Sequence, residues 1–180
     1  MRKDFLKLLK QYAYKRGDYV LSSGKHSEHY VNCKPVTLSA EGITIVSKML
    51  LECIEHDTIA VAGLTLGADP LVTGVAMTSY LNVSDPDLDA LIVRKKPKGY
   101  GTNKYIEGNL PPKGSKVVVL EDVVTTANSS IIAVNRLREV GYVVDRIITI
   151  VDRQEDREAY NNCDSANVDL ISLYQLNELY

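Results

Sequence analysis

One stretch, residues 117–130, reads VVVLEDVVTTANSS and constrains the chain more than any other. Four successive aliphatic residues, Val117, Val118, Val119 and Leu120, present no polar face, so a strand made from them is buried on both sides. The run reaches two adjacent carboxylates, Glu121 and Asp122, and steps through Val123 and Val124. Thr125, Thr126, Ala127, Asn128, Ser129 and Ser130 follow, and then an apolar-periodic segment begins. This pattern predicts a buried strand that stops at the paired acids and turns through hydroxyl residues into a helix. In α/β sheets, ligands bind at such carboxyl ends of strands.

The rest of the chain supplies the sheet that this strand needs. Phe5, Leu6, Leu8, Leu9, Tyr12 and Ala13 recur at helical spacing, predicting an amphipathic helix that ends near Gly17. Tyr19-Val20-Leu21 and Tyr30-Val31-Asn32-Cys33 flank the polar turn Ser22-Ser23-Gly24-Lys25 and predict a hairpin-like pair. A helix is expected over 43–55, starting near Ser39 or Gly42. Ile59-Ala60-Val61-Ala62 predicts a short buried strand that enters GLTLGADP, with Asp69 as N-cap and Pro70 at the first helical position. Ala90-Leu91-Ile92-Val93 predicts the next strand. Residues 131–140 predict a helix stopped by Gly141. Residues 143–152 predict a strand running into Arg153, and 168–173 a last one, with a short tail helix from Gln175. Strands alternating with helices of about ten residues imply a mostly parallel sheet covered on both faces. No repeat or linker divides the chain, so one α/β domain over 1–180 is expected.

Composition limits the partners. Lys and Arg total 21 against 23 Asp and Glu, a formal net charge of −2, which argues against nucleic acid or an anionic membrane as the main partner. The N-terminus shows no signal-peptide pattern and no run reaches membrane-spanning length. Cys33, Cys53 and Cys163 are far apart and in no metal-ligand spacing, which fits reduced thiols in a cytoplasmic protein. His26 and His29 lack a third ligand nearby and are expected on a surface or loop.

Three loops are therefore expected at one edge of the sheet: 63–69, 94–102 and 121–130. In the second, Arg94, Lys95, Lys96 and Lys98 crowd together before Gly99-Tyr100-Gly101-Thr102. A charge run of this kind is by itself often a solvated face. In the third, Glu121 and Asp122 are acceptors suited to vicinal sugar hydroxyls or to water on a bound cation. Thr125, Thr126, Asn128 and Ser129 at a helix N-terminus suit a monoester phosphate, and the cationic loop suits pyrophosphate. Carboxylates beside cations make chemical sense around a polyhydroxylated phosphate.

This combination resembles the type I phosphoribosyltransferases, whose fingerprint is an aliphatic strand, two acids and a Thr/Gly/Ser-rich loop that binds phosphoribosyl pyrophosphate (PRPP). LSSGKHSEHYVNC at 21–33, GLTLGADPL at 63–71, VRKKPKGYGT at 93–102, IEG at 106–108 and VDRQE at 151–155 narrow the resemblance to the orotate phosphoribosyltransferases. The resemblance implies transfer of ribose 5-phosphate from PRPP to N1 of orotate, with Mg2+ carried by PRPP and no direct protein ligand. It implies a fold with an N-terminal hood segment (1–40) and a flexible catalytic loop (94–107), of which residues 94–102 would reach the neighbouring active site of a homodimer. Arg94, Lys95, Lys98 and Tyr100 would meet the pyrophosphate, the first three as catalytic residues. Glu121 and Asp122 would hold the ribose, and Val123, Val124, Thr125, Thr126, Ala127, Asn128 and Ser129 would complete the PRPP site. Thr125, Arg153, Ser22, Tyr30 and Val31 would form the orotate site, with the Arg153 guanidinium on the orotate carboxylate.

The sequence departs from that pattern in three places. Ala127-Asn128 stands where the family has glycine; if positive φ is needed there, alanine costs about 1–2 kcal/mol. Tyr100 replaces a frequent histidine, and Ser22 and Gly67 replace lysines, leaving Lys25 or Lys34 to compensate. Two other readings therefore remain open at this stage: transfer to a different base, or a non-catalytic PRPP-binding regulator.

Overall fold

The computed structural model describes residues 1–20, 26–82, 87–97, 99, 105–154 and 156–180. The chain opens with helix α1 (Arg2–Leu8), continued by a π-helical turn over Leu9–Ala13. Strands β1 (Tyr14–Val20) and β2 (His26–Val31) pair antiparallel as a separate ribbon. Next come α2 (Lys34–Thr37), α3 (Ala40–Leu51), β3 (Thr58–Leu64), α4 (Asp69–Leu81), β4 (Asp89–Val93) and β5 (Ile106–Glu107). The second half holds β6 (Lys116–Val124), α5 (Asn128–Val140), β7 (Arg146–Asp152), α6 (Glu158–Ser165), β8 (Asp169–Gln175) and a 3-10 turn at Leu176–Glu178.

The main sheet has the order β5-β4-β3-β6-β7-β8, parallel except for β5, which runs antiparallel to β4. Side chains of a strand alternate between its faces, and β6 divides accordingly. Val118 and Leu120 join Val46, Leu50, Leu71 and Val75 in the core under α3 and α4. Val117 and Val119 join Ala133, Val134 and Leu137 of α5 in the core on the other face. The apolar run thus has helices above and below, as its lack of a polar face requires.

Several boundaries differ from the sequence expectation. The first helix stops at Ala13 rather than near Gly17, because Tyr14 is already extended (φ −94°, ψ 139°) and paired with Val31. Helix α3 starts after Ser39, whose Oγ accepts from the Gly42 N–H (3.1 Å), and ends at Leu51 instead of 55. Asp69 is not the N-cap of α4: Ala68 takes that position, and the Asp69 carboxylate accepts from Thr65 Oγ1 (2.7 Å). Strand β6 does not stop at the acids but continues to Val124, because Val123 and Val124 pair with Val151 and Asp152 of β7. Helices α2 and α6 were not anticipated. Both are short and lack the repeated apolar positions that reveal α3 or α5.

Candidate active site

The order of the sheet places the site. From β3 the chain moves outward through β4 to β5, and from β6 it moves the opposite way through β7 to β8. The carboxyl ends of β3 and β6 therefore form a topological switch point, where connecting loops diverge and leave a crevice. The loop after β3 carries Thr65, Leu66, Gly67 and Ala68, that after β6 carries Thr125, Thr126 and Ala127, and Arg153 follows β7.

Glu121 and Asp122 are successive strand residues, so they leave β6 on opposite faces. Glu121 turns toward α5: its Oε2 accepts from Ser130 Oγ (3.1 Å) and its Oε1 from the Asp122 N–H (3.2 Å). Asp122 turns toward α2: its Oδ1 accepts from the Val123 N–H (3.0 Å), and Lys34 Nζ lies 3.5 Å from Oδ2. Only 7% of Glu121 and 8% of Asp122 is exposed. Burial and the neighbouring Asp122 carboxylate push the Glu121 carboxyl up to about 8. Gly67 makes this packing possible, since a Cβ there would sit 2.5 Å from Asp122 Oδ1. A side chain at 67 would displace the carboxylate, whereas Lys34 brings a cation to it from elsewhere in the sequence.

The turn between β6 and α5 settles the question raised by Ala127-Asn128. Ala127 occupies the left-handed region (φ 61°, ψ 3°) as N-cap of α5, and Asn128 is the first helical residue. Alanine offers no capping oxygen, so the N–H groups of the first turn receive no bond from the N-cap side chain. With the helix field they are suited to an anion. Asn128 and Ser129 are exposed, Thr125 and Thr126 half-buried, and Ala127 packs into the core. Asn162 of α6 fixes the turn from behind, donating to the Thr126 carbonyl (2.9 Å). Val124 is buried and its carbonyl accepts from the Arg153 N–H (2.8 Å).

Arg153 is 9% exposed and joins the turn to the ribbon. Its Nε donates to Thr125 Oγ1 (3.4 Å) and its Nη1 to the His29 carbonyl (3.2 Å). Thr125, Arg153 and β2 therefore meet. Tyr30 and Val31 point to opposite sides of β2: Tyr30 stacks on Tyr19 (5.1 Å between centroids), and Val31 joins the core. His29 packs its ring against Tyr180 (4.6 Å, 14° between planes) and shares a hydrogen bond with the Tyr14 hydroxyl (2.9 Å).

The cationic segment leaves the outer side of the sheet. Arg94 is half-buried, and its Nη1 lies 3.3 Å from Glu107 Oε1. Lys95, Lys96, Pro97 and Gly99 are exposed. Ser22, Lys98 and Tyr100 lie outside the described residues. Ser130, Lys34 and Asn162 were not foreseen as parts of the site architecture, although Lys34 stood as a candidate replacement cation; Gly67 lay in the expected loop 63–69, but its packing against Asp122 was not foreseen. Each acts through a contact distant in sequence; only Ser130, inside the fingerprint, carried a local signal.

Comparison with known proteins agrees with this geometry. No protein-family model matches the chain. It is 49% identical over 179 residues to the orotate phosphoribosyltransferase of Thermosynechococcus vestitus, covering 99% of this chain and 93% of that protein. It is 56% identical over 156 residues to the Nostoc enzyme of that name, covering 86% and 74%. The structure of Mycobacterium tuberculosis orotate phosphoribosyltransferase with Fe(III) dicitrate superposes with a TM-score of 0.82 at 30% identity, over 99% of this chain and 98% of that one. The same enzyme with PRPP gives 0.77 at 29% identity, over 99% and 98%. With near-complete coverage at this identity, and a fold that superposes over nearly the whole chain, the chain belongs to the orotate phosphoribosyltransferase family.

Proposed function

We propose that this chain transfers the ribose 5-phosphate group of PRPP to N1 of orotate, releasing pyrophosphate and orotidine 5′-monophosphate. The observation that carries the reading is the meeting of a buried guanidinium, a phosphate-suited helix N-terminus and two carboxylates at one switch point. Asp122 and Glu121, the latter giving up its proton as the sugar binds, accept the ribose hydroxyls; each carboxylate keeps lone pairs beyond the internal bonds described above. Thr125, Thr126, Ala127, Asn128 and Ser129 receive the 5-phosphate through backbone N–H groups and hydroxyls. Arg153, held by Thr125 and the His29 carbonyl, pairs with the orotate carboxylate and fixes the attacking nitrogen. The transferred sugar passes through a state resembling an oxocarbenium ion, so positioning and charge placement supply most of the rate. Arg94, Lys95 and Lys98, with the Tyr100 hydroxyl, stabilise the leaving pyrophosphate.

Mg2+ fits this site as an ion carried by the substrate. The two carboxylates are hard acceptors able to bind waters of its shell, which is how Mg2+ commonly meets protein when phosphates supply its other ligands. When bound, it neutralises charge on the pyrophosphate.

A homodimer is part of the proposal. Leu38, Leu66, Met77, Tyr80 and Leu81 are exposed around α2 and α4, and a cavity of about 650 Å3 lined by Leu38, Ile43, Leu66, Pro70 and Met77 lies among them. An apolar face of this kind marks an interaction surface, and a second copy of the chain would cover it. Cys33, Cys53 and Cys163 are free thiols, which suits a cytoplasmic enzyme. No helix among the described residues is long and apolar enough to cross a membrane.

Purified protein supplied with orotate, PRPP and Mg2+ is expected to consume the orotate absorbance. Absence of turnover at micromolar enzyme would overturn the reading. Uracil, which lacks the carboxylate, is expected to be a far poorer acceptor, and equal use of it would break the Arg153 assignment.

A further inference from the structure

Arg136 lies on α5, about two turns beyond the phosphate turn, and has no role in the reading above. Its guanidinium reaches across to the cationic segment. Nη1 donates to the Arg94 carbonyl and Nη2 to the Lys95 carbonyl (3.2 Å). Its Cζ stands 4.1 Å from the centroid of the Tyr105 ring. Arg94 and Tyr105 are themselves joined, the Arg94 N–H donating to the Tyr105 carbonyl (2.8 Å). One side chain thus touches the residues on both sides of the segment between β4 and β5. The fork of a guanidinium suits this task, because it holds two donors at a fixed angle while its face remains free to stack.

We propose that Arg136 is a positioning residue for the pyrophosphate end of the reaction, acting through the Arg94–Lys95 backbone. The inference rests on the assignment of Arg94 and Lys95 to pyrophosphate. Holding two successive carbonyls sets the peptide planes on either side of Lys95, and hence the direction in which its side chain departs. The helix whose first turn is suited to the 5-phosphate also carries this clamp. Small misplacements of charged groups at a reacting centre are costly in rate. The local chemistry is not simple surface decoration: the ring contact, the two carbonyl contacts and the Arg94–Tyr105 bond all converge on one point.

Steady-state kinetics in both directions, with calorimetry of pyrophosphate and ribose 5-phosphate binding, test the proposal. Arg136→Ala is expected to raise KM for PRPP and for pyrophosphate roughly tenfold, while KM for orotate changes less than about twofold. Pyrophosphate binding weakens and ribose 5-phosphate binding does not. Arg136→Lys, which keeps the charge but not the fork, recovers only part of the loss; full recovery would show that charge rather than geometry matters and would overturn the proposal. Equal changes toward PRPP and orotate would indicate general loosening and would also overturn it, as would unchanged pyrophosphate parameters. If Arg136→Ala does not fold, Tyr105→Leu removes the stacking face and is expected to show the same pattern more weakly; no selective effect on pyrophosphate would count against the clamp. A wild-type protein without orotate turnover would refute the functional reading, and pyrophosphate binding to wild type and variant would still decide the role of Arg136.

Discussion

The β6–α5 turn and the β4–β5 segment serve opposite ends of one proposed substrate and are built on opposite principles. The first is embedded: Glu121 is tied to Ser130, the Thr126 carbonyl to Asn162, the Val124 carbonyl to Arg153, and Ala127 packs in the core. The second starts from the sheet's outer strands, and Lys95 and Lys96 stand in solvent. Recognition of a monoester phosphate and a planar base profits from fixed donors already in place. Charge that grows on a leaving group is met by cations that remain hydrated until it does. The embedded side should therefore show large, salt-insensitive effects on binding, and the exposed side smaller, salt-sensitive effects on rate.

Arg153→Ala gives the sharpest separation. A buried guanidinium that pairs with a substrate carboxylate is worth about 3 kcal/mol when truncated, so kcat/KM for orotate is expected to fall roughly a hundredfold or more. The KM for PRPP is expected to move little, and added salt should not widen the gap. A loss that fell equally on both substrates would show that Arg153 mainly supports the ribbon through the His29 carbonyl.

Lys95→Ala tests the exposed side. An ion pair at about 4 Å is worth roughly 4 kcal/mol at an effective dielectric of 20, but solvent screening takes much of that. A fall in kcat of roughly tenfold is expected. The wild-type rate should decline with ionic strength more steeply than that of the variant. Parallel salt profiles would remove Lys95 from the pyrophosphate.

What was legible in the sequence follows the same division. Residues 117–120 announce a doubly covered strand because nothing in them tolerates water, and β6, α5, β7 and β8 follow from such patterning, whereas the short α6 does not. The boundaries were less legible, since Val123 and Val124 continue β6 only by pairing with β7. The turn between β6 and α5 could be expected from its composition, but not which residue would carry positive φ. Of the pair, asparagine tolerates it better, yet alanine adopts it, because Asn128 is already the first residue of α5. Lys34 beside Asp122 and Arg136 beside Tyr105 are products of tertiary packing and leave no local pattern.

Glu121 gives the embedded side a pH signature. Its carboxyl is raised from an ordinary value of 4.5 to about 8, chiefly by burial and then by Asp122. In that window the folded protein holds a proton that the unfolded chain releases. Stability contributed by this group is therefore complete below 4.5 and lost as pH rises toward 8. Glu121→Gln stays neutral throughout, so its Tm is expected to fall less than that of wild type between pH 5 and 8.5. Equal slopes would mean that Glu121 is ionised in the free protein. Substrate should narrow the difference, because ribose hydroxyls stabilise the charged form.

The smallest expected effect isolates backbone strain. Ala127 stands at φ 61°, where its Cβ crowds the backbone at a cost of about 1–2 kcal/mol. Glycine relieves that cost but gives the unfolded chain more freedom, worth roughly 0.5–1 kcal/mol. Ala127→Gly is therefore expected to stabilise the protein by about 0.5–1 kcal/mol, a rise in Tm of roughly 1–4 °C for a chain of this size. Because Ala127 is packed in the core and glycine leaves a gap there, the gain belongs at the low end. Affinity for PRPP is the more discriminating readout. If the turn is fully formed before the phosphate arrives, as its anchors at Ser130 and Asn162 require, the variant should change Tm while leaving KM for PRPP within about twofold. A lower Tm with a higher KM would mean that the packing of the alanine methyl, rather than the φ angle, is what holds the cradle open to its phosphate.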